Sequence, residues 1–420
     1  MEQLVIKGGK KLKGEIKICG AKNSAVALIP ATILCGGKST ISNLPQISDT
    51  SLLCDILSEM GADVNFKGST MTINTAKISR GTDNELKAGK IRASYYLAGA
   101  LLGRYKEAHI PLPGGCNLGT RPIDLHIKGF EKLGATVEIS HGMLNLKAKK
   151  LVGTKIYLDI VSVGATINIM LAAVMAEGKT TIENAAKEPH IVDVANMLNK
   201  AGAKIKGAGT DKITIEGVKS LHGVKHKVIP DQIETGTYMI AAAATGGDVT
   251  IKDICLDDMA SVIEKLREAG VVVDIIDKQT VRVTRKKQLQ GISITTLPHP
   301  GFPTDLQSPM GTLLTMCNGV SKITESIWEN RFKYTDELNK MGSDITVDGK
   351  VAVFKGVNKI TGARVTAPDL RGGVALVIAG LIAEGTTIVS GVEHVNRGYE
   401  DIEGKLKSLG ADINLEVVEE

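Results

Sequence analysis

The sequence predicts an α/β protein of two domains, each built from three repeats of about 70 residues. Its 420 residues exceed the roughly 250–300 at which a single hydrophobic core stops growing, so two domains are expected. A pattern of helix, glycine turn and strand recurs six times, and this alternation indicates sheets packed on helices. Repeats alone leave open whether the units form separate or continuous globules.

The first repeated segment is a short amphipathic helix that ends at a glycine and continues into a strand. The turn glycines, separated by 73, 68, 68, 72 and 68 residues, are Gly61, Gly134, Gly202, Gly270, Gly342 and Gly410. Glycine directly after a helix suits the left-handed backbone at a helix C-terminus. The alternating polar and apolar residues that follow predict a half-buried strand.

A second repeated segment, a nearly all-apolar helix followed by glycine and a Thr/Ile-rich strand, precedes each copy of the first. Residues 27–43 and 375–391 are two of its six copies. A helix that is apolar all round must be buried. Because aromatic residues make up only 3% of the chain and glycines number 46, the core is expected to consist mainly of Ala, Val, Ile and Leu.

Small, polar or charged residues precede the six apolar helices. Helix starts of this kind favour phosphate and carboxylate, since their backbone N–H groups and the helix dipole attract anions. Six cations stand at these starts or in Gly- or Asn-containing loops: Lys22, Arg92, Arg371, Arg121, Arg331 and Arg397. Any one of them alone is most simply a solvated surface charge, but their recurrence predicts an anion site.

Cys116 lies in a proline- and glycine-rich segment, residues 111–122, that predicts a mobile loop and a candidate lid. A cation beside it, Arg121, would lower the pKa of a thiol from about 8.5 toward neutrality. The alternative is an ordinary exposed cysteine. The other cysteines, which have no CxxC spacing, are expected to be free and mostly buried: Cys19, Cys35, Cys54, Cys255 and Cys317.

Asp305 follows a proline-rich turn at a predicted helix start. Taken alone, its simplest role is an N-terminal cap. The alternative is that its ionised carboxylate accepts a proton from a substrate hydroxyl.

Composition argues against several classes of protein. The formal charge of 51 − 46 = +5 suits small anionic substrates and lacks the concentrated basic face of a nucleic-acid binder. No signal peptide or membrane span is evident, so a cytoplasmic location is expected. No GxGxxG, Walker, HExxH, CxxC or GxSxG motif occurs. The isolated histidines are interpreted as structural: His126, His190, His299 and His394.

Nine segments carry a resemblance to one family over essentially the whole chain. They are GAKNSA (20–25), LPGGCNLGTRPIDLH (112–126), SVGATINIM (162–170), IENAAKEPHIVD (182–193), PDQIETGT (230–237), PTDLQ (303–307), ENRF (329–332), DLR (369–371) and HVNRGYE (394–400). In content and order they resemble the UDP-N-acetylglucosamine 1-carboxyvinyltransferases, the enolpyruvyl transferases of bacterial peptidoglycan synthesis.

The resemblance implies two inside-out α/β barrel domains of three units each, with the active site in the cleft between them. Residues 1–20 plus 230–420 would form the C-terminal, catalytic-side domain. Residues 21–229 would form the N-terminal domain that carries the 111–122 lid loop. The chain would therefore cross between domains twice, near residues 20 and 229.

The resemblance also implies the site residues. Lys22, Arg121 and Arg397 would hold the phosphate and carboxylate of phosphoenolpyruvate, and Asn23 would touch the sugar or the intermediate. The residues implied for UDP-N-acetylglucosamine are Arg92, Arg121, Pro122, Ile123, Asp124, Leu125, Ser162, Val163, Gly164, Asp305 and Ile327. Arg331, Asp369 and Arg371 would complete the closed cleft.

The implied reaction is an addition followed by an elimination, the first committed step of peptidoglycan synthesis, without metal or cofactor. Asp305 would take the proton of the sugar 3-hydroxyl and Cys116 would act as an acid. The family's cysteine is also the residue that the epoxide antibiotic fosfomycin alkylates. In one departure, Ile160 stands where many members have lysine, so one diphosphate contact is missing or supplied elsewhere.

Two alternatives are weighed against this function. One is the enolpyruvyl transferase of the shikimate pathway, whose acceptor is shikimate 3-phosphate; the GGC loop and the PDQIETGT segment argue against it. The other is a non-catalytic paralogue. Lys22, Cys116, Asp305 and Arg397 argue against that, because a binding module gains nothing from an aligned acid and base.

Overall fold

A computed structural model of the chain describes residues 2–82, 87, 89–112 and 123–417. The chain divides into two compact units. The C-terminal unit contains residues 2–19 and 230–417, and the N-terminal unit contains the described residues between 20 and 229. Each unit has its own cluster of buried apolar side chains.

The described residues of the N-terminal unit include three sheets and the six α-helices given below. The strand orders are β13-β3-β5-β4, β6-β8-β7 and β11-β12-β10-β9. The strands are β3 (Lys38–Ser42), β4 (Asp63–Lys67), β5 (Thr70–Asn74), β6 (Glu107–Pro111), β7 (Thr136–Ser140), β8 (Met143–Lys147), β9 (Lys155–Tyr157), β10 (Lys179–Glu183), β11 (Lys204–Lys206), β12 (Lys212–Glu216) and β13 (Lys225–Lys227). The helices are α1 (Lys22–Ala31), α2 (Ser48–Glu59), α3 (Tyr96–Tyr105), α4 (Asp124–Lys132), α5 (Val163–Ala173) and α6 (Pro189–Lys200).

The C-terminal unit repeats this plan. Its strand orders are β21-β22-β1-β23, β15-β16-β14-β2 and β17-β18-β20-β19. The strands are β1 (Glu2–Lys7), β2 (Lys13–Lys17), β14 (Asp248–Lys252), β15 (Val272–Asp277), β16 (Thr280–Thr284), β17 (Ser293–Thr295), β18 (Val320–Thr324), β19 (Asp344–Asp348), β20 (Val351–Lys355), β21 (Arg364–Thr366), β22 (Thr386–Ser390) and β23 (Asp412–Val417). The helices are α7 (Gln232–Ala244), α8 (Ala260–Glu268), α9 (Gln307–Leu314), α10 (Tyr334–Lys340), α11 (Leu370–Ile382), α12 (Val392–Val395) and α13 (Ile402–Ser408).

The predicted turn glycines have the backbone that the repeat requires. All six have positive φ, between +90° and +106°, where a side chain would be strained. Each lies between an amphipathic helix and the strand that follows, as between α2 and β4. The prediction of six helix–turn–strand units is confirmed.

The six apolar segments form helices whose residues are nearly all buried, as predicted: α1, α3, α5, α7, α9 and α11. Small residues permit their close packing. A Cβ added at Gly99 in α3 would lie 2.4 Å from the carbonyl oxygen of Asn168 in α5, and one at Gly103 would lie 2.7 Å from that of Leu171. Glycine at these two positions therefore lets the backbones of α3 and α5 approach.

Among the residues that the structure describes, no helix is both long and apolar enough to cross a membrane.

Candidate active site

Lys22 and Asn23 open α1 in the N-terminal unit, as predicted from the polar start of this apolar helix. Lys22 Nζ lies 3.3 Å from Asp49 Oδ2 at the start of α2, and both side chains are largely buried. Asp49 thus holds the ammonium group at a helix start, where backbone N–H groups also attract anions.

The next residue of α1, Ser24, is anchored by a buried polar chain. Its hydroxyl donates to Asp193 Oδ2 in α6, and Asp193 Oδ1 lies 2.7 Å from His226 Nε2 in β13. All three residues are buried. A surface groove of about 510 Å³ lies beside Asp193 and His226, and none of the predicted site residues lines it.

His126, near the start of α4, lies close to two other predicted parts of the site, Arg92 and the start of α5. Its Nδ1 lies 2.9 Å from Asn168 Nδ2 in α5, and its ring contacts the Tyr95 ring edge-on at 4.8 Å between centroids. A Cβ added at Gly164 would lie 3.0 Å from its Cε1. Burial, and then the positive charge of Arg92, lowers the pKa of His126 to about 3, so the imidazole is neutral. The structure therefore brings Arg92, the start of α4 and the start of α5 together around a neutral histidine.

Ser162 caps α5, because its Oγ accepts a hydrogen bond from Ala165 N at 3.3 Å. Val163 and Gly164 form the first turn, and all three residues are half-buried. Ile123 is the N-cap residue of α4, and Asp124 and Leu125 are the first two residues of the helix. Burial also lowers the pKa of Arg92, which precedes α3. Ile160 is 67% exposed and has no donor to offer an anion.

In the C-terminal unit, Asp305 is held by two arginines. It lies in a single turn of 3₁₀ helix before α9. Its Oδ1 accepts from Arg331 Nη2 at 2.8 Å and its Oδ2 from Arg371 Nη2 at 2.9 Å. Pro303 and Leu306 occupy the N-cap positions of this turn and of α9, so the simple capping role considered for Asp305 does not describe its position.

The two guanidinium groups are almost fully buried, with side chains 3% and 4% exposed. Burial alone would lower the pKa of Arg371, but the Asp305 carboxylate opposes this and the pKa is raised. Within the described residues, Arg331 Nε and Arg371 Nη1 are buried without a hydrogen-bond partner. The cluster thus retains donor capacity for a further acceptor.

Asp369 positions Arg371 through the backbone of Arg371. It caps α11, and its Oδ1 accepts from the backbone N–H of Arg371 at 2.9 Å. The Arg371 guanidinium also lies over the Tyr399 ring, 5.4 Å from its centroid, and the Tyr399 hydroxyl lies 2.8 Å from Thr237 Oγ1. The structure therefore brings four of the predicted residues together: Asp305, Arg331, Asp369 and Arg371.

Sequence reasoning missed the groups that orient these side chains. Asp49, Asp193 and Tyr399 contact predicted residues or their neighbours. Asp49 lies in the first turn of α2, which is an amphipathic helix and not one of the six apolar ones, and Asp193 and Tyr399 stand at neither a predicted turn glycine nor the start of an apolar helix. Two of them, Asp193 and Tyr399, do lie inside the nine segments, which was the available signal.

The remaining predicted residues are less informative. Arg397 follows α12 and is half-buried, and its backbone N–H donates to His394 O at 3.4 Å. Ile327 is half-buried in a turn after β18. Cys116, Arg121 and Pro122, with most of the predicted lid, lie outside the described residues.

The other five cysteines are free and buried or half-buried, as predicted. Burial raises the pKa of Cys35 to about 11, of Cys54 to about 12 and of Cys317 to about 12. The pKa of Cys255 is raised to about 11 and that of Cys19 higher still, chiefly by burial and then by nearby carboxylates. These thiols are therefore poor nucleophiles near neutral pH. In the part of the chain that the structure describes, no three His, Cys, Asp or Glu side chains are grouped to hold a metal ion.

Comparison with known families assigns the chain to a class of transferase. The model of the EPSP synthase (3-phosphoshikimate 1-carboxyvinyltransferase) family matches residues 6–406. The chain therefore belongs to this family of enolpyruvyl transferases.

Relatives within the family carry a more specific name. A protein from Caldanaerobacter subterraneus, UDP-N-acetylglucosamine 1-carboxyvinyltransferase 3, is 55% identical over 413 residues, which cover 98% of this chain and 99% of the relative. The Clostridium acetobutylicum protein UDP-N-acetylglucosamine 1-carboxyvinyltransferase 2 is 54% identical over 419 residues, the full length of both chains. The Bacillus subtilis protein of the same name is 55% identical over 98% of this chain and 96% of its own.

Solved structures agree on the fold. The enolpyruvyl transferase NikO from Streptomyces tendae superposes with a TM-score of 0.90 at 28% identity, covering 100% of this chain and 99% of its own. An EPSP synthase from Acinetobacter baumannii superposes with a TM-score of 0.76 at 20% identity, covering 99% and 100%. The predicted α/β fold class is confirmed as that of the enolpyruvyl transferases.

Proposed function

We propose that this enzyme transfers the enolpyruvyl group of phosphoenolpyruvate to the 3-hydroxyl of UDP-N-acetylglucosamine and releases phosphate. The observation that carries the proposal is the identity of about 55%, over almost the whole chain, to proteins named UDP-N-acetylglucosamine 1-carboxyvinyltransferase. The clustered Asp305, Arg331 and Arg371 support it, because they offer a carboxylate and buried cations in one place.

The reaction proceeds by addition and then elimination. The sugar 3-hydroxyl oxygen forms a bond to C2 of phosphoenolpyruvate, its proton passes to Asp305, and C3 gains a proton from an acid. The C2–O bond to phosphate then breaks and C3 loses a proton, which restores the double bond in the enol ether. Cys116 is the acid that protonates C3 or assists the departure of phosphate.

Lysine and arginine side chains stabilise the negative charges of phosphoenolpyruvate in this scheme. Lys22, Arg121 and Arg397 bind the phosphate and carboxylate of phosphoenolpyruvate, and Asn23 contacts the sugar or the intermediate. Buried guanidinium and ammonium groups interact more strongly with developing negative charge than they would in water. The burial of Lys22 against Asp49 supports such a role.

The sugar nucleotide is bound by helix starts and loops of the chain. The proposed contacts are Arg92, Arg121, Pro122, Ile123, Asp124, Leu125, Ser162, Val163, Gly164, Asp305 and Ile327, with Arg331, Asp369 and Arg371 completing the site. The same proposal assigns the lid to a domain of residues 21–229, and the base to a domain of residues 1–20 plus 230–420. It places the enzyme in the cytoplasm, at the first committed step of peptidoglycan synthesis.

A second acceptor, 3-phosphoshikimate, is the alternative that the matched family description favours. Phosphate release from phosphoenolpyruvate distinguishes the two when each acceptor is supplied alone. We expect UDP-N-acetylglucosamine to stimulate release and 3-phosphoshikimate to be inert. Phosphate release that depends on 3-phosphoshikimate would show that this compound, and not UDP-N-acetylglucosamine, is the acceptor. If neither acceptor stimulates phosphate release, the transferase function is refuted.

A further inference from the structure

Glu325 is a buried carboxylate with four hydrogen-bond donors around it. It follows β18 directly and is 0% exposed. Its Oε1 accepts from the hydroxyl of Thr296 at 2.8 Å and from the backbone N–H groups of Ile327 and Trp328 at 2.8 and 3.2 Å. Its Oε2 accepts from the hydroxyl of Thr304 at 2.9 Å. A fully buried charge persists only when it is bonded in this way.

The donors come from three separate segments of the C-terminal unit. Thr296 follows β17, which pairs in parallel with β18, so Thr296 and Glu325 lie at the same end of neighbouring strands. Thr304 begins the 3₁₀ turn that contains Asp305. Ile327 and Trp328 belong to the turn after Glu325 itself. One carboxylate therefore joins the segment of the proposed base to the turn of a proposed sugar-nucleotide contact.

Other bonds make the connection rigid. Thr296 Oγ1 also accepts from Ser326 N at 2.9 Å, and the Ser326 hydroxyl donates to Thr296 O. Arg331 donates both to Thr304 O, at 3.4 Å, and to Asp305 Oδ1. Thr304 is thus held from one side by Glu325 and from the other by an arginine that holds Asp305.

We propose that Glu325 is a positioning residue for the transfer reaction: it fixes the Asp305 turn relative to the Ile327 turn, so that the bound sugar hydroxyl lies within reach of the base. The proposal rests on the function proposed above. It requires that Glu325 act through geometry, since a misplacement of about 1 Å costs on the order of 10² in rate.

Two variants of Glu325 separate geometry from charge. Glu325→Ala removes all four acceptor contacts, and we expect kcat/KM for UDP-N-acetylglucosamine to fall about 10- to 100-fold. Glu325→Gln has nearly the same shape. Its amide oxygen can still accept from Thr296 and the two backbone N–H groups, while its NH₂ can donate to a rotated Thr304 hydroxyl. We therefore expect Gln to restore kcat and KM to within about threefold of the unmodified enzyme, because geometry is what matters.

A third variant isolates the connection to Asp305. Thr304→Val keeps the shape of the side chain but removes the bond to Glu325 Oε2 and leaves the Ile327 turn bonded. Since only the base loses an anchor, we expect kcat to fall about tenfold with KM for UDP-N-acetylglucosamine within about twofold of normal. This split between kcat and KM is one that simple loss of stability would not produce.

The matched control is Thr245→Ala, at the far end of α7, which removes a buried hydroxyl that donates to Ala241 O at 2.9 Å. It should lower the melting temperature and leave both kinetic constants unchanged. Normal kcat in Thr304→Val, or a Gln variant as impaired as the Ala variant, would overturn the positioning role, and Thr304→Val gives this answer even if Glu325→Ala fails to fold. Absence of turnover by the unmodified enzyme with UDP-N-acetylglucosamine would instead overturn the proposed function, and this role with it.

Discussion

Replacing Asp305 with alanine should separate its chemical role from its structural role. The change removes the carboxylate that accepts from Arg331 at 2.8 Å and from Arg371 at 2.9 Å. It leaves two guanidinium groups buried, with side chains 3% and 4% exposed, without their counter-ion. Both the stability and the rate should therefore fall.

The loss of stability follows from the burial of the arginines. Removing one partner of a buried ion pair costs about 3–5 kcal/mol. Asp305 is itself 26% exposed, so water can solvate part of the remaining charge, and the lower end, about 3 kcal/mol, is expected. In a unit of 150–250 residues each kcal/mol lowers the melting temperature by about 2–4 °C, which gives a decrease of about 6–12 °C.

The rate should fall further than stability alone explains. A positioned general base contributes about 10²–10⁴ to turnover, so phosphate release should fall by that factor below the melting transition, while UDP-N-acetylglucosamine still binds. The control is Asp248→Ala, which removes an exposed aspartate that also accepts two bonds from one arginine, Arg282, at 2.7 and 2.6 Å. Exposed pairs contribute about 0–1 kcal/mol, so this variant should melt near the unmodified enzyme and keep its turnover. Near-normal turnover in Asp305→Ala would refute the assignment of the base.

Three further predictions concern the lid, the thiols and pH. Fosfomycin should alkylate Cys116 alone, because burial raises the pKa of the other thiols, and it should do so faster with UDP-N-acetylglucosamine bound. The variant Cys116→Asp should resist the drug and stay active. Peptide mass spectrometry that shows a drug adduct on another cysteine would contradict this prediction. Hydrogen exchange in residues 111–122 should slow at saturating UDP-N-acetylglucosamine, and unchanged exchange would rule out the lid. The pKa of His126 is about 3 when folded against 6.5 for an ordinary histidine, so the unfolded chain binds one more proton between these values and stability falls as pH drops below 6.5. From pH 7 to pH 5 this lowers the free energy of unfolding by about 2 kcal/mol. In His126→Gln, the free energy of unfolding measured by chemical denaturation should depend less steeply on pH. An unchanged dependence on pH would refute the role of His126.

The repeat explains why so much of the fold was predictable. Gly61 and its five equivalents mark helix ends because the turn there needs a positive φ, which is a purely local requirement. The apolar composition of the six buried helices is enough to predict that they are buried. Asp305 is different, because its partners Arg331 and Arg371 lie 26 and 66 residues away. Sequence spacing marked all three as candidates but contained nothing about their pairing. Glu325 carried no signal at all, since a glutamate after a strand looks like any solvated surface residue until the fold buries it.

The pairing of β1 has a consequence for the order in which the polypeptide acquires structure during synthesis. β1, residues 2–7, is an inner strand that pairs antiparallel with β22 and β23, two strands far later in the sequence. β1 therefore cannot pair until strands far later in the chain have been synthesised, whereas the strands described between residues 20 and 229 pair with one another. The N-terminal unit can therefore fold during translation, while the C-terminal unit carries the slow, long-range closure. Removing β1 would leave β22 and β23 as exposed edges prone to pair with other chains.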